Sequence, residues 1–315
     1  MRTVRADYAF SKSEIQILRE LAKGRRSLSD IEESISLKPA LLSYNLKKLL
    51  KKGLIKTTEQ GNRKYVYFND TKHASLLRDL MISYDYIDWQ NILTGKTIEI
   101  LSRMLNNFKS HIAEFSRATL WRSLKNLKAR GIIHNEKGYG INPRFSILID
   151  FLKEYQKFFA NKLARTISEN SVILWQEDME FLVRAPKNAK PPCESFHQTA
   201  TSIFHEYNLP LFSEFDIYLY STNKKTIRTE DAILHTLLIE PNNVRYTTYA
   251  LLLLKKTEQK INKTYLLQEA ERLGVKNQIA SMLQFLKTQT QTKEQALPTW
   301  NEFITKARDY KVMIQ

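Results

Sequence analysis

Two short stretches hold the side chains best suited to chemistry with a charged partner. In SYNLKKLLK, Ser43, Tyr44, Lys47, Lys48 and Lys51 recur at helical spacing. In RATLWRSLKNLK, Arg117, Trp121, Arg122, Lys125 and Asn126 do the same. Lysine is a flexible point charge that suits phosphate. The planar fork of Arg122 can bridge O6 and N7 of guanine, and the Asn126 amide can pair with adenine. The first set therefore fits a nucleic-acid backbone, and the second fits base edges. Arg63 and Lys64 lie beside a predicted hairpin tip, within reach of backbone or minor groove. The plain alternative is a solvated helix face, and Trp121 equally suits a core or interdomain position.

No comparable set supports covalent chemistry. Glu177, Asp178 and Glu180 cluster at a predicted strand turn, where alternation is expected to separate their faces and solvent to cover them. Cys193 and His197 are too few for a zinc site, and a single cysteine excludes an internal disulfide. His205 and His235 fall on apolar helical stretches and read as core or boundary residues. ILTGKT at 92–97 ends like a phosphate-binding loop, but Gln90 stands where that loop needs glycine. Asp216 lacks the upstream Gly-Ser of a nucleotidyltransferase. The sequence thus predicts no enzyme, no cofactor and no metal.

The two basic stretches are positioned by a repeat. Leu42, Leu46, Leu49, Gly53 and Ile55 return 78 positions later as Leu120, Leu124, Leu127, Gly131 and Ile133. Such repetition marks a supersecondary unit used twice. In the first copy, Ser11-x-x-Glu14 and Ser29-x-x-Glu32 have capping-box spacing and are expected to open two helices. Pro39 suits the first turn of a third, whose Leu42, Leu46, Leu49 and Leu50 should turn inward before Gly53 ends it. β-rich stretches around Gln60-Gly61-Asn62 then read as a hairpin. In the second copy, Ile98, Leu101 and Leu105 mark the first helix, and Ile112 and Phe115 a short second one. Ser116 caps a third helix over 117–130, and a glycine-tipped hairpin follows.

Helix, helix, helix, hairpin resembles the winged helix-turn-helix superfamily of prokaryotic regulators, over 1–70 and again over 95–146. The resemblance implies that each third helix enters the major groove of double-stranded DNA. The stretch 71–94 reads as one long linker helix, which would either pack the units together or form the seam of a homodimer. A connecting helix is expected over 147–170 and an α+β domain over 171–315. The fold class is therefore α+β and predominantly α, with two winged helices joined by a long helix and a C-terminal interaction domain.

Charge agrees. Residues 1–150 hold 27 Lys and Arg against 15 Asp and Glu, a net +12 out of +16. A basic half points to a polyanion, because neutralised phosphates release counterions. No apolar run is long enough to cross a membrane, and MRTVRADYAF lacks the apolar core of a signal peptide, so a cytoplasmic location is expected. A second resemblance concerns the C-terminal half. SIFHEYNL (202–209) and IRTEDAILHTLL (227–238) look like segments of the AbiE-type antitoxin family, with Asn208 for its glycine and Thr229 for its proline. That likeness implies a repressor of its own operon that neutralises a nucleotidyltransferase-type toxin. Tandem winged helices also suit a replication or transcription-initiation component. The residues themselves favour a DNA-binding regulator with a protein-contact or sensing domain.

Overall fold

The computed structural model describes residues 8–105, 115–135, 138–290 and 296–314. Two units, 1–159 and 160–315, divide it. The first begins with the expected capping box. Ser11 Oγ accepts from the Glu14 N–H while Glu14 accepts from the Ser11 N–H, opening α1 (Lys12–Ala22). The second box differs from the sequence expectation. Ser27 and Asp30 form it, so α2 (Leu28–Ile35) starts two residues earlier and Ser29 lies inside the helix. The cause is a short strand, β1 (Arg26–Ser27), which holds the entering chain by pairing with Val66 and Tyr65. Pro39 opens α3 (Pro39–Lys51), which buries Leu42, Leu46 and Leu49. Each such leucine contributes about 1.5–3 kcal/mol. Leu50 does not join them; it is 40% exposed, one position round the helix from the buried stripe.

β2 (Ile55–Gln60) and β3 (Arg63–Phe68) pair from Ile55↔Phe68 to Gln60↔Arg63, and the sheet order is β1-β3-β2. The two-residue turn has positive φ at Gly61, a position that only glycine fills without strain and that matches the strand twist. The predicted linker helix is shorter than expected. α4 (Lys72–Ser83) stops there, and the chain turns through a 3₁₀ segment, Trp89–Asn91. Buried Trp89 donates its indole N–H to the Tyr84 carbonyl, 3.1 Å, fixing that turn.

α5 (Gly95–Arg103), α6 (Arg117–Ala129), β4 (Ile133–Asn135), β5 (Tyr139–Ile141) and α7 (Ser146–Arg165) follow. Ile112 lies outside the described residues. An aromatic cluster joins these later elements to the beginning of the unit. Tyr155 stacks on Tyr8 at 4.9 Å and donates its hydroxyl to the Tyr8 carbonyl, while Tyr8 shares a 2.7 Å hydrogen bond with Ser102.

The second unit is a four-stranded antiparallel sheet with helices. β6 (Val172–Glu177), β7 (Glu180–Pro186), β8 (Phe196–Gln198) and β9 (Phe215–Tyr220) run in the order β6-β7-β9-β8. Its helices are α8 (Thr229–Ile239), α9 (Val244–Lys256), α10 (Lys263–Arg272), α11 (Lys276–Thr288) and α12 (Trp300–Asp309). The whole is mixed α and β and mainly helical. No helix among the described residues is long and apolar enough to cross a membrane.

Candidate nucleic-acid interface

α3 is held by a buried ion pair as well as by its leucines. Lys52, just past its end, donates to Glu14 Oε1 and to the Ala9 carbonyl, each at 2.8 Å, and sits 4.4 Å from the Phe10 ring. Asn45, buried on the same helix, accepts from the Ser11 hydroxyl and donates to the Leu41 carbonyl. These contacts leave the opposite face to solvent. Ser43, Tyr44, Lys47 and Lys51 are exposed there, with Lys48 half-buried and its Nζ 4.8 Å from the Tyr44 ring. No acidic side chain lies on α3, so the face is uniformly positive.

The hairpin adds more cations. Arg63 and Lys64 are exposed where β3 begins. Arg25 was not foreseen from sequence. Its guanidinium lies 4.1 Å over the Tyr65 ring and donates to Gln60 Oε1 at 3.1 Å, which orients it beside the hairpin. The signal was faint: Arg25-Arg26 precedes a cap, and only the β1–β3 pairing brings it to the sheet.

The second basic helix exposes a similar face. Ser116 caps α6, accepting from the Thr119 N–H. Arg117, Trp121, Arg122 and Lys125 are exposed, again with no acidic residue on the helix. Asn126 differs from its companions. It is half-buried, its amide donates to the Asn91 carbonyl at 3.1 Å, and its oxygen accepts from Arg130. Both of its functions are thus engaged within the protein.

The repeat extends to the hydrogen bonds that end each helix. The Gly53 N–H donates to the Leu50 carbonyl and the Leu54 N–H to Leu49; likewise Gly131 donates to Lys128 and Ile132 to Leu127. Both glycines have φ of +65°. After each hairpin an asparagine returns to the same place. Asn69 binds Leu54 through its N–H and Gly53 through its side chain, and Asn142 binds Ile132 and Gly131 in the same manner.

In the second unit, the carboxylates of the β6–β7 turn are not solvated. Glu177 and Glu180 are cross-strand partners. Directly opposed residues share a face, so the expected separation fails. Glu180 is buried, accepting from Arg272 at 3.1 Å and from the Ser221 hydroxyl at 2.6 Å. Lys224 bridges Asp231 and Glu269 nearby. Burial works against the Lys224 charge, but Asp231 and Glu269 raise its pKa overall. Burial likewise opposes the Glu269 charge, and its hydrogen bond from Arg272 together with Lys224 holds it down to about 2. His235 is fully buried, with Nδ1 2.8 Å from the Thr199 hydroxyl. Burial, then the Lys224 charge, lowers its pKa to about 3. His205 is exposed rather than in the core. Among the described residues, no group of three or more His, Cys, Asp or Glu could hold a metal ion.

Two protein-family models match parts of the chain. Residues 11–57 match the family described as bacterial regulatory protein, arsR family. The match takes in α1, α2, α3 and the start of β2, and with the hairpin that follows this segment is a winged helix-turn-helix. Residues 193–312 match a model described as HVO_2833_C, C-terminal. No curated protein and no solved structure matches the chain.

Proposed function

We propose that this chain is a DNA-binding transcriptional regulator that grips duplex DNA through two winged helices. The observation that carries the reading is the repeated exposed, acid-free basic face of α3 and α6. The regulator-type match on the first copy supports it. The shared glycine caps and the returning Asn69 and Asn142 support the second copy as the same device. Ser43, Tyr44, Lys47, Lys48 and Lys51 would meet phosphates from α3, with Arg63, Lys64 and Arg25 reaching backbone from the wing. On α6, Arg117 and Lys125 would do likewise while Arg122 addresses a guanine. Asn126, tied to Asn91 and Arg130, would position α6 rather than read adenine.

The second unit would serve protein contact. Phe212, 93% exposed in the loop before β9, supports that role. The C-terminal match spans the segments that resemble the AbiE-type family, and its description names a domain rather than an activity.

A site selected from randomised duplexes supplies the test. Arg122→Ala should weaken binding to that site by about 1–3 kcal/mol and relax preference at one position, while Lys47→Ala should weaken selected and scrambled duplexes alike. Equal losses on both duplexes for Arg122→Ala would show that α6 holds backbone only.

A further inference from the structure

Trp121 is the most open tryptophan of the chain. Of the four, Trp89 is fully buried, Trp175 and Trp300 are partly buried, and Trp121 is 60% exposed. It stands on α6 with Lys125 Nζ 4.8 Å from its ring centroid, so a cation caps the ring. Arg117 and Arg122 are exposed on the same helix, four residues before it and one after. The open face of the indole is a flat surface on which another ring can stack. Covering it with an apolar protein surface would strip water from three cations that gain no partner. A partner that offers both flat π-faces and negative charge satisfies ring and cations together. Nucleic acid is such a partner, but a paired base in a duplex presents only its edges to a groove. An unpaired base presents its face, and base–aromatic stacking beside a basic groove is how single strands are held.

We propose that Trp121 is a stacking platform for an unpaired base, so that α6, while gripping duplex through its cations, also holds a base released from pairing. The inference rests on the nucleic-acid reading above and adds an unpaired base to the duplex that α6 grips. Lys125 then lies between ring and phosphate, and Arg117 follows the strand, while Arg122 keeps to the guanine edge of the paired DNA beside it. Tyr44 on α3, also capped by a lysine at 4.8 Å but 51% exposed and smaller, provides the internal comparison.

The experiment compares the full chain with Trp121→Ala, Trp121→Phe and Tyr44→Ala. The probes are a perfect duplex, the same duplex with a central bubble of unpaired thymines, and an oligothymidine strand. Stacking of about 1–3 kcal/mol per base corresponds to roughly tenfold or more. The wild type should therefore prefer the bubble to the perfect duplex by about tenfold. Trp121→Ala should lose that preference, its loss on the bubble exceeding its loss on the perfect duplex by about tenfold. Trp121→Phe should retain most of the preference, and Tyr44→Ala should weaken both probes together. Oligothymidine should quench the emission component that Trp121→Phe removes. Melting curves of the variants should superpose on the wild type, because the ring is exposed. A wild type without bubble preference, or Trp121→Ala losing duplex and bubble equally, would overturn the assignment and leave duplex binding in place. Failure to bind any of the three probes would overturn the parent reading with it.

Discussion

Lys52 reads, in sequence, as one more cation of the LKKLLKK run, yet it is the one turned inward. Its ammonium is buried on Glu14, the residue that also closes the first capping box. One ion pair therefore locks the start of α1 to the end of α3, the helix that carries the basic face. Lys52→Met should cost about 3–5 kcal/mol, because the Glu14 charge would stay buried without its partner. Adding Glu14→Gln should recover much of that loss, and chemical denaturation of the single and double variants measures both. A loss below about 1 kcal/mol would mean that water reaches the pair. His235 supplies the corresponding test in the second unit. Its pKa falls from 6.5 to about 3 through burial, so the folded protein holds it neutral while the unfolded chain protonates it. Its contribution is complete above pH 6.5 and is lost as pH falls from there towards 3. Between pH 7 and pH 5 that amounts to about 2 kcal/mol, at 1.36 kcal/mol per pKa unit. His235→Asn, which keeps a polar partner for Thr199, should flatten the dependence over this window by that amount. An unchanged pH dependence would show that solvent reaches the imidazole.

At the scale of elements, the two glycine stops look identical in sequence, and both sit at φ +65°. Their surroundings differ. A Cβ on Gly53 would lie 2.6 Å from the Phe158 ring, whereas one on Gly131 would meet nothing within 4 Å. Gly131→Ala should therefore cost only the left-handed backbone strain, about 1–2 kcal/mol. Gly53→Ala should cost more, since the Phe158 ring must also move. Thermal unfolding of the pair ranks them, and equal losses would mean that Phe158 repacks freely. The leucine spacing of α3 and α6, the glycine stops after them and both hairpins were legible because these are local signals. The contact of Phe158 with Gly53 was not, since it joins residues about a hundred positions apart. The linker helix was overextended for a related reason: the apolar spacing continues through Ile87, but Trp89 donates to Tyr84 and turns the chain. Within the candidate interface, the exposed lysines and arginines followed from helix phase. Arg25 needed strand pairing to reach the wing, and the engagement of Asn126 by Asn91 needed tertiary contact.

Over the whole molecule, charge divides unevenly. Residues 1–150 carry +12 and residues 151–315 carry 22 Lys and Arg against 18 Asp and Glu, a net +4. In the second unit, Lys224 and Arg272 are already bound to carboxylates, whereas Lys47 on α3 and Arg117, Arg122 and Lys125 on α6 are exposed. On the function proposed above, these exposed cations displace counterions from duplex DNA. The most direct measurement is the affinity of the full chain for one duplex at several salt concentrations, with and without Lys47→Gln and Lys48→Gln combined. Each phosphate contact contributes about −0.9 to the slope of log affinity against log salt. The wild-type slope should be steep and should become shallower by about two units in the double variant. A flat wild-type slope, or a steep one that the double variant leaves unchanged, would contradict it.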